Sequence, residues 1–421
     1  MSLLFFLKKM RLKIFRYIPV LLLLASLSGL AFAQKSQVIS TGQQLNAIQS
    51  TVPFLTITPD SRSGALGDAG VATSPDISSQ HWNPAKYPFI QSEGGVAISY
   101  TPWLRKLIGD INLAYLAGFK RFGDRQVVSA SLRYFSLGMI VFTNVYGQNQ
   151  GQFNPNEFAI DAGYSRLLTD NLAGAIAFRF LRSDLTGGTY VGGAQSNPGM
   201  AFAGDLAFYY QKDIIISGMD SRMAYGVNIS NMGNKIAYTE NQEKAFIPIN
   251  LRLGGAFTTW LDEYNSLTLT VDLNKLLVPT PPIYAVDSAG NTMTDEDGNY
   301  IIEHGKDPDV AVPLGMIRSF WDAPGVAYDD GSYKVWQEEL HEITYSVGLE
   351  YWYRHQFAIR GGYFHEHETK GNRKFFTAGI GIKLNVFSLD FSYLIPVKQN
   401  NPLANTLRFT LAFEFDKFKK S

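Results

Sequence analysis

The strictest constraint on the fold is a two-residue alternation that recurs through most of the chain. From Thr406 to Phe415, residues Leu407, Phe409, Leu411, Phe413 and Phe415 fall on one side of an extended strand, and Arg408, Thr410, Ala412 and Glu414 on the other, because successive side chains of a strand point to opposite faces. Phe387, Leu389, Phe391 and Tyr393 alternate in the same way with Ser388, Asp390 and Ser392. So do Leu267, Leu269, Val271 and Leu273 with Thr268, Thr270 and Asp272, and Phe158, Ile160, Ala162 and Tyr164 with Ala159, Asp161, Gly163 and Ser165. One face is apolar and the other polar. Strands of soluble sandwiches average about 5–6 residues, whereas these approach the roughly 9–11 that cross a bilayer at a tilt. No stretch past residue 33 is apolar enough for a spanning helix, and in hydrocarbon only helices and closed barrels satisfy every backbone group. The chain is therefore expected to be all-β, a transmembrane antiparallel β-barrel.

The pattern gives about 14 strands, an even number as in bacterial single-chain barrels: 94–101, 111–120, 125–136, 156–167, 171–182, 200–211, 222–232, 248–259, 264–274, 342–353, 355–366, 373–383, 386–394 and 404–415. Short connections at 122–124, 168–170, 261–263 and Arg354 alternate with long ones at 137–155, 183–199, 233–247 and 275–341. In such barrels short turns face the periplasm and long loops the outside. Trp260, Tyr351, Trp352 and Tyr353, at strand ends beside short turns, are expected to form part of an interfacial aromatic girdle.

Met1 to Ala33 reads as a secretory signal peptide, since Lys8, Lys9, Arg11, Lys13 and Arg16 precede an apolar run from Ile18 to Leu30 that ends in Ala31-Phe32-Ala33. Its removal leaves 32 Lys and Arg (37 less these five) against 37 Asp and Glu, a net charge of −5. No global basic field then favours nucleic acid. The chain contains no Cys, which excludes a disulfide framework, thiol catalysis and a cysteine-linked lipid anchor. The remainder divides into an N-terminal extension and hatch at 34–93, the barrel at 94–415 and a tail at 416–421.

The stretch from Asp60 to Ala85 does not alternate. Gly64, Gly67 and Gly70 fall three apart among Ala65, Ala69 and Ala72, a spacing that lets backbone pass close to other backbone. Pro75 and Pro84 stop any helix from continuing, and Trp82 supplies one large anchor. On composition alone an ordinary glycine-rich linker fits equally well. The run SRSGALGDAGVATSPD followed by HWNPAKY resembles the N-terminal signature of the PorV family, outer-membrane barrels of the Bacteroidetes type IX secretion system, and Asn83-Pro84-Ala85 resembles the NPA triplet of the wider FadL-like barrels. The resemblance implies a hatch packed into the barrel mouth, with Gly64, Gly67, Gly70, Trp82, Asn83, Pro84 and Ala85 as its residues.

Arg133, Asp161, Arg179, Asp205, Arg252, Asp272, Glu350, Arg360, Lys383, Asp390, Arg408 and Glu414 share the polar phase. Mixed signs at this density suit a charge-paired lumen more than a selective pore, which would show a ring of one sign. His365 and His367 can share one face of a strand, but two imidazoles are too few for a metal site, and no metal or other cofactor is expected. From Ile283 to Glu342, 13 acidic residues face only Lys306, Arg318 and Lys334, a net of −10. Asp295-Glu296-Asp297 fails the EF-hand register, because Tyr300 stands where Gly is required and Lys306 where the bidentate Glu belongs. A hairpin turned at Asp297-Gly298 is expected instead. Loops this long usually carry function, so a partner-binding lid is expected, anchored by Trp321 and Trp336 and steered by Asp295, Glu296 and Asp297.

The family resemblance implies a non-enzymatic secretion component. Such a barrel would bind a SprA-type translocon, collect secreted cargo by its C-terminal signal domain, and deliver it to the PorU sortase attachment complex, in contact throughout with outer-membrane lipid. No serine, histidine and acid spacing supports a catalytic site. The competing reading is a FadL-type channel for small hydrophobic molecules, in which Gly254-Gly255 and Gly361-Gly362 would either kink strands to open the wall or ease barrel curvature. A peptidoglycan-anchored structural barrel is a third class, disfavoured because only six residues follow Phe415.

Overall fold

The computed structural model describes residues 46–104, 109–143, 146, 148–188, 190–191, 194–240, 243–288, 291–398 and 402–415. The expected signal peptide, the first part of the extension and the tail at 416–421 lie outside the described residues.

Fourteen antiparallel strands close into one barrel. They are β1 (Gly94–Pro102), β2 (Asn112–Phe122), β3 (Gln126–Ser136), β4 (Asn156–Leu167), β5 (Leu172–Asp184), β6 (Gly199–Ile216), β7 (Met219–Gly233), β8 (Asn250–Trp260), β9 (Asn265–Leu276), β10 (Thr344–Tyr353), β11 (Phe357–His365), β12 (Lys374–Leu384), β13 (Phe387–Pro396) and β14 (Leu407–Phe415). Each pairs with its neighbour in sequence, and β1 closes on β14 from Gly94↔Phe415 to Tyr100↔Phe409. All fourteen coincide with the strands read from the alternation. The largest departure is the β6–β7 hairpin. Sequence reading ends these strands at 211 and 222, but both continue to a two-residue turn in which Ser217 (φ 53°) and Gly218 (φ 76°) take the left-handed conformation that a tight hairpin requires.

Burial confirms the phase. Ile98, Leu116, Ile160, Ile176, Leu349, Ile380, Leu389 and Phe409 are exposed on the outer wall, while Arg133, Asp161, Arg179, Asp205, Arg252, Asp272, Glu350, Arg360 and Arg408 are buried within. Several of the inner charges are paired: Arg179 with Asp161 and Asp205, Arg360 with Glu350 and Asp390, and Lys383 with Glu414 at the rim. The girdle is corrected in part. Tyr351 and Tyr353 stay on the outer phase, but Trp260 and Trp352 share the phase of Arg252 and Glu350 and face inward. There the Arg222 and Arg360 guanidiniums lie 5.5 and 5.4 Å from their ring centres, which keeps each indole under a cation rather than at the lipid interface.

The glycine pairs neither kink nor open the wall. The β7–β8–β9 and β10–β11–β12 ladders run without a break through Gly254, Gly255, Gly361 and Gly362. One bulge, between Gly204 and Leu206, is filled from inside by Asp205, which accepts a hydrogen bond from the Asn231 backbone at 2.8 Å.

The phase makes a direct prediction. Leu411→Arg, on the outer face at mid-strand, is expected to cost about 2–4 kcal/mol of folding free energy into bilayers, and Ser388→Arg, on the inner face of the neighbouring strand, under about 1 kcal/mol. Equal penalties in a denaturant titration of both variants would overturn the assignment.

Candidate functional site

Residues 46–93 fill the lumen that the strands enclose. Asp60 begins the hatch as the N-cap of a single helical turn, Ser61–Gly64, accepting from the Ser63 amide at 2.9 Å, and its other oxygen accepts from the Trp82 indole at 2.6 Å. One buried carboxylate thus ties the two ends of the hatch together. Gly70 lies against the face of that indole and has no room for a side chain. Asn83 caps the next turn, Pro84–Phe89, through the Ala85 amide, and its own amide donates to the Val71 and Phe208 carbonyls at 3.2 and 2.9 Å. Ala85 packs among Ala173, Ala175, Ala207, Tyr209 and Ala224 of the wall. Gly64, Gly67, Gly70, Trp82, Asn83, Pro84 and Ala85 are all buried.

The wall holds the hatch by its backbone. Asp272 on β9 accepts from the amides of Gly70 (2.7 Å) and Val71 (2.9 Å). Thr377 on β12 accepts from the Gly67 amide and donates to the Ala65 carbonyl, both at 2.9 Å. Thr410 on β14 accepts from the Ser61 amide at 2.9 Å and bonds the Ser99 hydroxyl of β1 at 2.8 Å. Asn228 on β7 donates to the Trp82 carbonyl at 2.9 Å, and Arg252 on β8 to that of His81 at 3.1 Å. Arg133 on β3 donates to the Leu55 carbonyl at 2.8 Å. Side chains of the hatch reciprocate: besides Asn83, Gln80 accepts from Ser129 of β3 at 2.6 Å, and Arg62 forks onto Glu350 at 2.9 and 2.8 Å and reaches Asp76 within the hatch at 2.9 Å.

This contact is possible because inward positions on five strands are glycine. Gly226, Gly254, Gly348, Gly362 and Gly379 all abut the hatch between Ala65 and Ala72, where an added Cβ would overlap its atoms. Gly67 takes φ +69°, and a Cβ there would stand 2.6 Å from the Tyr363 backbone nitrogen. Sequence analysis identified the hatch glycines but not the wall glycines that receive them, although the alternation already marked those positions as inward. It also missed Asp272, Thr377 and Thr410 as docking groups, and Lys86, which is fully buried and donates to the Gly70 carbonyl at 2.8 Å. Outside the hatch, Phe54 and Leu55 join Leu113, Phe135, Leu181, Ile247 and Leu277 in an apolar layer at the long-loop end. Cavities of about 310 and 430 Å³ flank the hatch on its outer and periplasmic sides.

The long loop at 277–343 has more regular structure than expected. Ile283–Tyr284 pairs with Ile302–His304, and the hairpin turns at Gly298 (φ 85°), where Asp295 accepts from the amides of Asp297 and Asn299. Asp295, Glu296 and Asp297 are exposed. Four of the loop's acids are not. Glu339 and Glu342 meet Lys275 at 2.9 and 2.6 Å, Glu338 and Glu342 meet Lys370 at 2.6 and 3.0 Å, and Asp322 is 2% exposed. Asn46 also donates to Glu338 at 3.0 Å, linking loop to hatch segment. The two loop tryptophans differ in setting. Trp321 lies under Lys306, 5.6 Å from its ring centre, whereas Trp336 lines a groove with Leu340, Tyr345, His365 and His367. Glu366 is taken by Arg373, and His367 stacks on His341 with ring centres 3.5 Å apart. Among the described residues, no three His, Cys, Asp or Glu gather as a metal site would need.

A family model described as type IX secretion system protein PorV matches residues 40–283, more than half of the chain, including the hatch and the first nine strands. The chain belongs to the PorV family. It is an outer-membrane β-barrel component of type IX secretion. No curated protein matches it. Similar solved structures include the Ralstonia pickettii toluene transporter TbuX, at 10% identity over 85% of this chain and 98% of that one, with a TM-score of 0.41. The Pseudomonas putida toluene transporter TodX gives 10%, 88%, 98% and 0.43. A Pseudomonas aeruginosa FadL homologue gives 10%, 85%, 99% and 0.42.

Three measurements check this description of the PorV-family hatch and loop. Asp272→Ala leaves two buried amides without an acceptor, at about 1–3 kcal/mol each. It is expected to expose the hatch to protease, and deleting Gly64 to Ala85 to raise single-channel conductance. Equal conductance of intact and deleted barrels would show that the segment is not a plug. In the loop, burial, followed by the Glu339 and Glu342 carboxylates, pushes Asp322 up to about 7. A folded-state value above the ordinary one means that loop docking strengthens as pH falls through about 7 and weakens as it rises. Asp322→Asn should therefore slow proteolysis of the loop most at about pH 8, less near about pH 5, and hardly at all below about pH 4; equal cleavage at the higher pH would contradict this.

Proposed function

We propose that this barrel is a non-enzymatic carrier that works by its outer surface rather than by conduction. It binds a SprA-type translocon, receives cargo by a C-terminal signal domain, and passes it to a PorU sortase attachment complex. The observation that carries the reading is the seal: guanidinium, amide, carboxylate and hydroxyl groups of the wall hold the hatch backbone from β3 round to β14. The continuous ladders of the wall support the same view, since an uptake route for small hydrophobic molecules needs a passage through lumen or wall.

The partner surface in this proposal is the outer loop around Trp321, with Asp295, Glu296 and Asp297 displayed on the neighbouring hairpin. An exposed indole is suited to anchor a partner, and truncating such an anchor typically costs at least about 2 kcal/mol, while surrounding carboxylates act on encounter and discrimination. Trp321→Ala is expected to leave barrel assembly intact, reduce recovery of large partners in pull-downs and block export of proteins that bear the signal domain. Neutralising Asp295, Glu296 and Asp297 should give a smaller, salt-sensitive loss. Normal partner recovery and normal export in the Trp321 variant would remove the loop from the reading and move the search to the barrel wall.

A further inference from the structure

The short helix Val335–His341 has two opposed faces. Glu338 and Glu339, with Glu342 just beyond, are buried in the ion pairs with Lys275 and Lys370, and their remaining oxygens accept from the Gly325 and Ala323 amides at 2.6 and 3.0 Å. These contacts fix the roll of the helix. Trp336 and Leu340, one turn apart, are left 64% and 49% exposed. They overhang a groove of about 320 Å³ whose other walls are Ile343, Tyr345, His365 and His367.

The floor of the groove shows where it opens. Tyr345 and His365 are cross-strand partners at the outer ends of β10 and β11. Tyr345 shares its phase with Val347 and Leu349, which are 40% and 44% exposed on the lipid-facing wall, so the groove continues that wall at its extracellular edge. Its lining, Gln337 and His341 included, holds no carboxylate, lysine or arginine. Burial, then the neighbouring His341, takes His367 down to about 4, and burial, then Lys370, lowers His341.

We propose that this groove seats an acyl chain of an outer-leaflet lipid, with Trp336 at the boundary between chain and headgroup and the neutral imidazole stack beside the chain's polar linkage. Aromatic residues concentrate at this level of a membrane because one part of the ring is apolar and another polar. Continuity with the lipid-facing wall favours lipid over a soluble protein. The inference is independent of the partner surface around Trp321.

The test uses full-length protein in proteoliposomes made with lipids brominated either near the headgroup or near the chain end. Trp82, Trp260 and Trp352 point into the lumen, where bromine does not reach. Headgroup-proximal bromine is expected to quench the emission strongly, and Trp336→Phe to remove most of that quenching while the barrel keeps its heat-modifiable mobility on gels. A second variant, Lys370→Met, keeps the tryptophan but frees the helix, and is expected to reduce the depth dependence of quenching. Unchanged quenching in Trp336→Phe would overturn the proposal. So would protection of Trp336 from the same lipids in membranes that carry the native partner proteins, since the groove would then belong to a protein neighbour.

Discussion

Every backbone group that crosses hydrocarbon must be bonded within the protein, and here that demand is met by closing β1 onto β14. Closure fixes which side of each strand is enclosed, and with it the chemistry of the interior. Ten or more charged side chains then share a space cut off from lipid, where an unpaired charge is costly. The interior resolves this by pairing, as in Arg179 with Asp161 and Asp205, and by bonding the rest to the main chain of the hatch.

That second solution explains the composition of the hatch. Its docking partners on the wall are carboxylate, hydroxyl and amide groups directed at peptide groups, and so it needs close approach more than side-chain identity. The backbone and first side-chain carbons of Ala65, Leu66, Gly67, Val71 and Ala72 meet glycines on β7, β8, β10, β11 and β12. The few large hatch residues have particular tasks: Trp82 closes the ring of contacts through Asp60, and Arg62 satisfies Glu350.

Much of this was legible in the sequence because a period of two is a strong signal when one face must be apolar. Strand number, order and inward phase could all be read. Trp260 and Trp352 show where the reading failed. Their phase marked them as inward beside Arg252 and Glu350, but their place at strand ends suggested a girdle, and the cations that hold them lie on other strands. The loop failed differently. Its net charge concealed that Glu338, Glu339 and Glu342 are internal, because Lys370 is contributed from beyond β11. Pairings between segments far apart in sequence leave no local trace.

The seam between the first and last strands has a bearing on assembly. Thr410 of β14 bonds both Ser99 of β1 and Ser61 of the hatch, and Arg408 of the same strand lies against Gly64. The segment that precedes β1 in the chain thus bonds the last strand of the chain, and Thr410 serves both contacts. Shutting the seam and fastening the hatch therefore share one hydroxyl, so a change there would loosen the ring and its filling together.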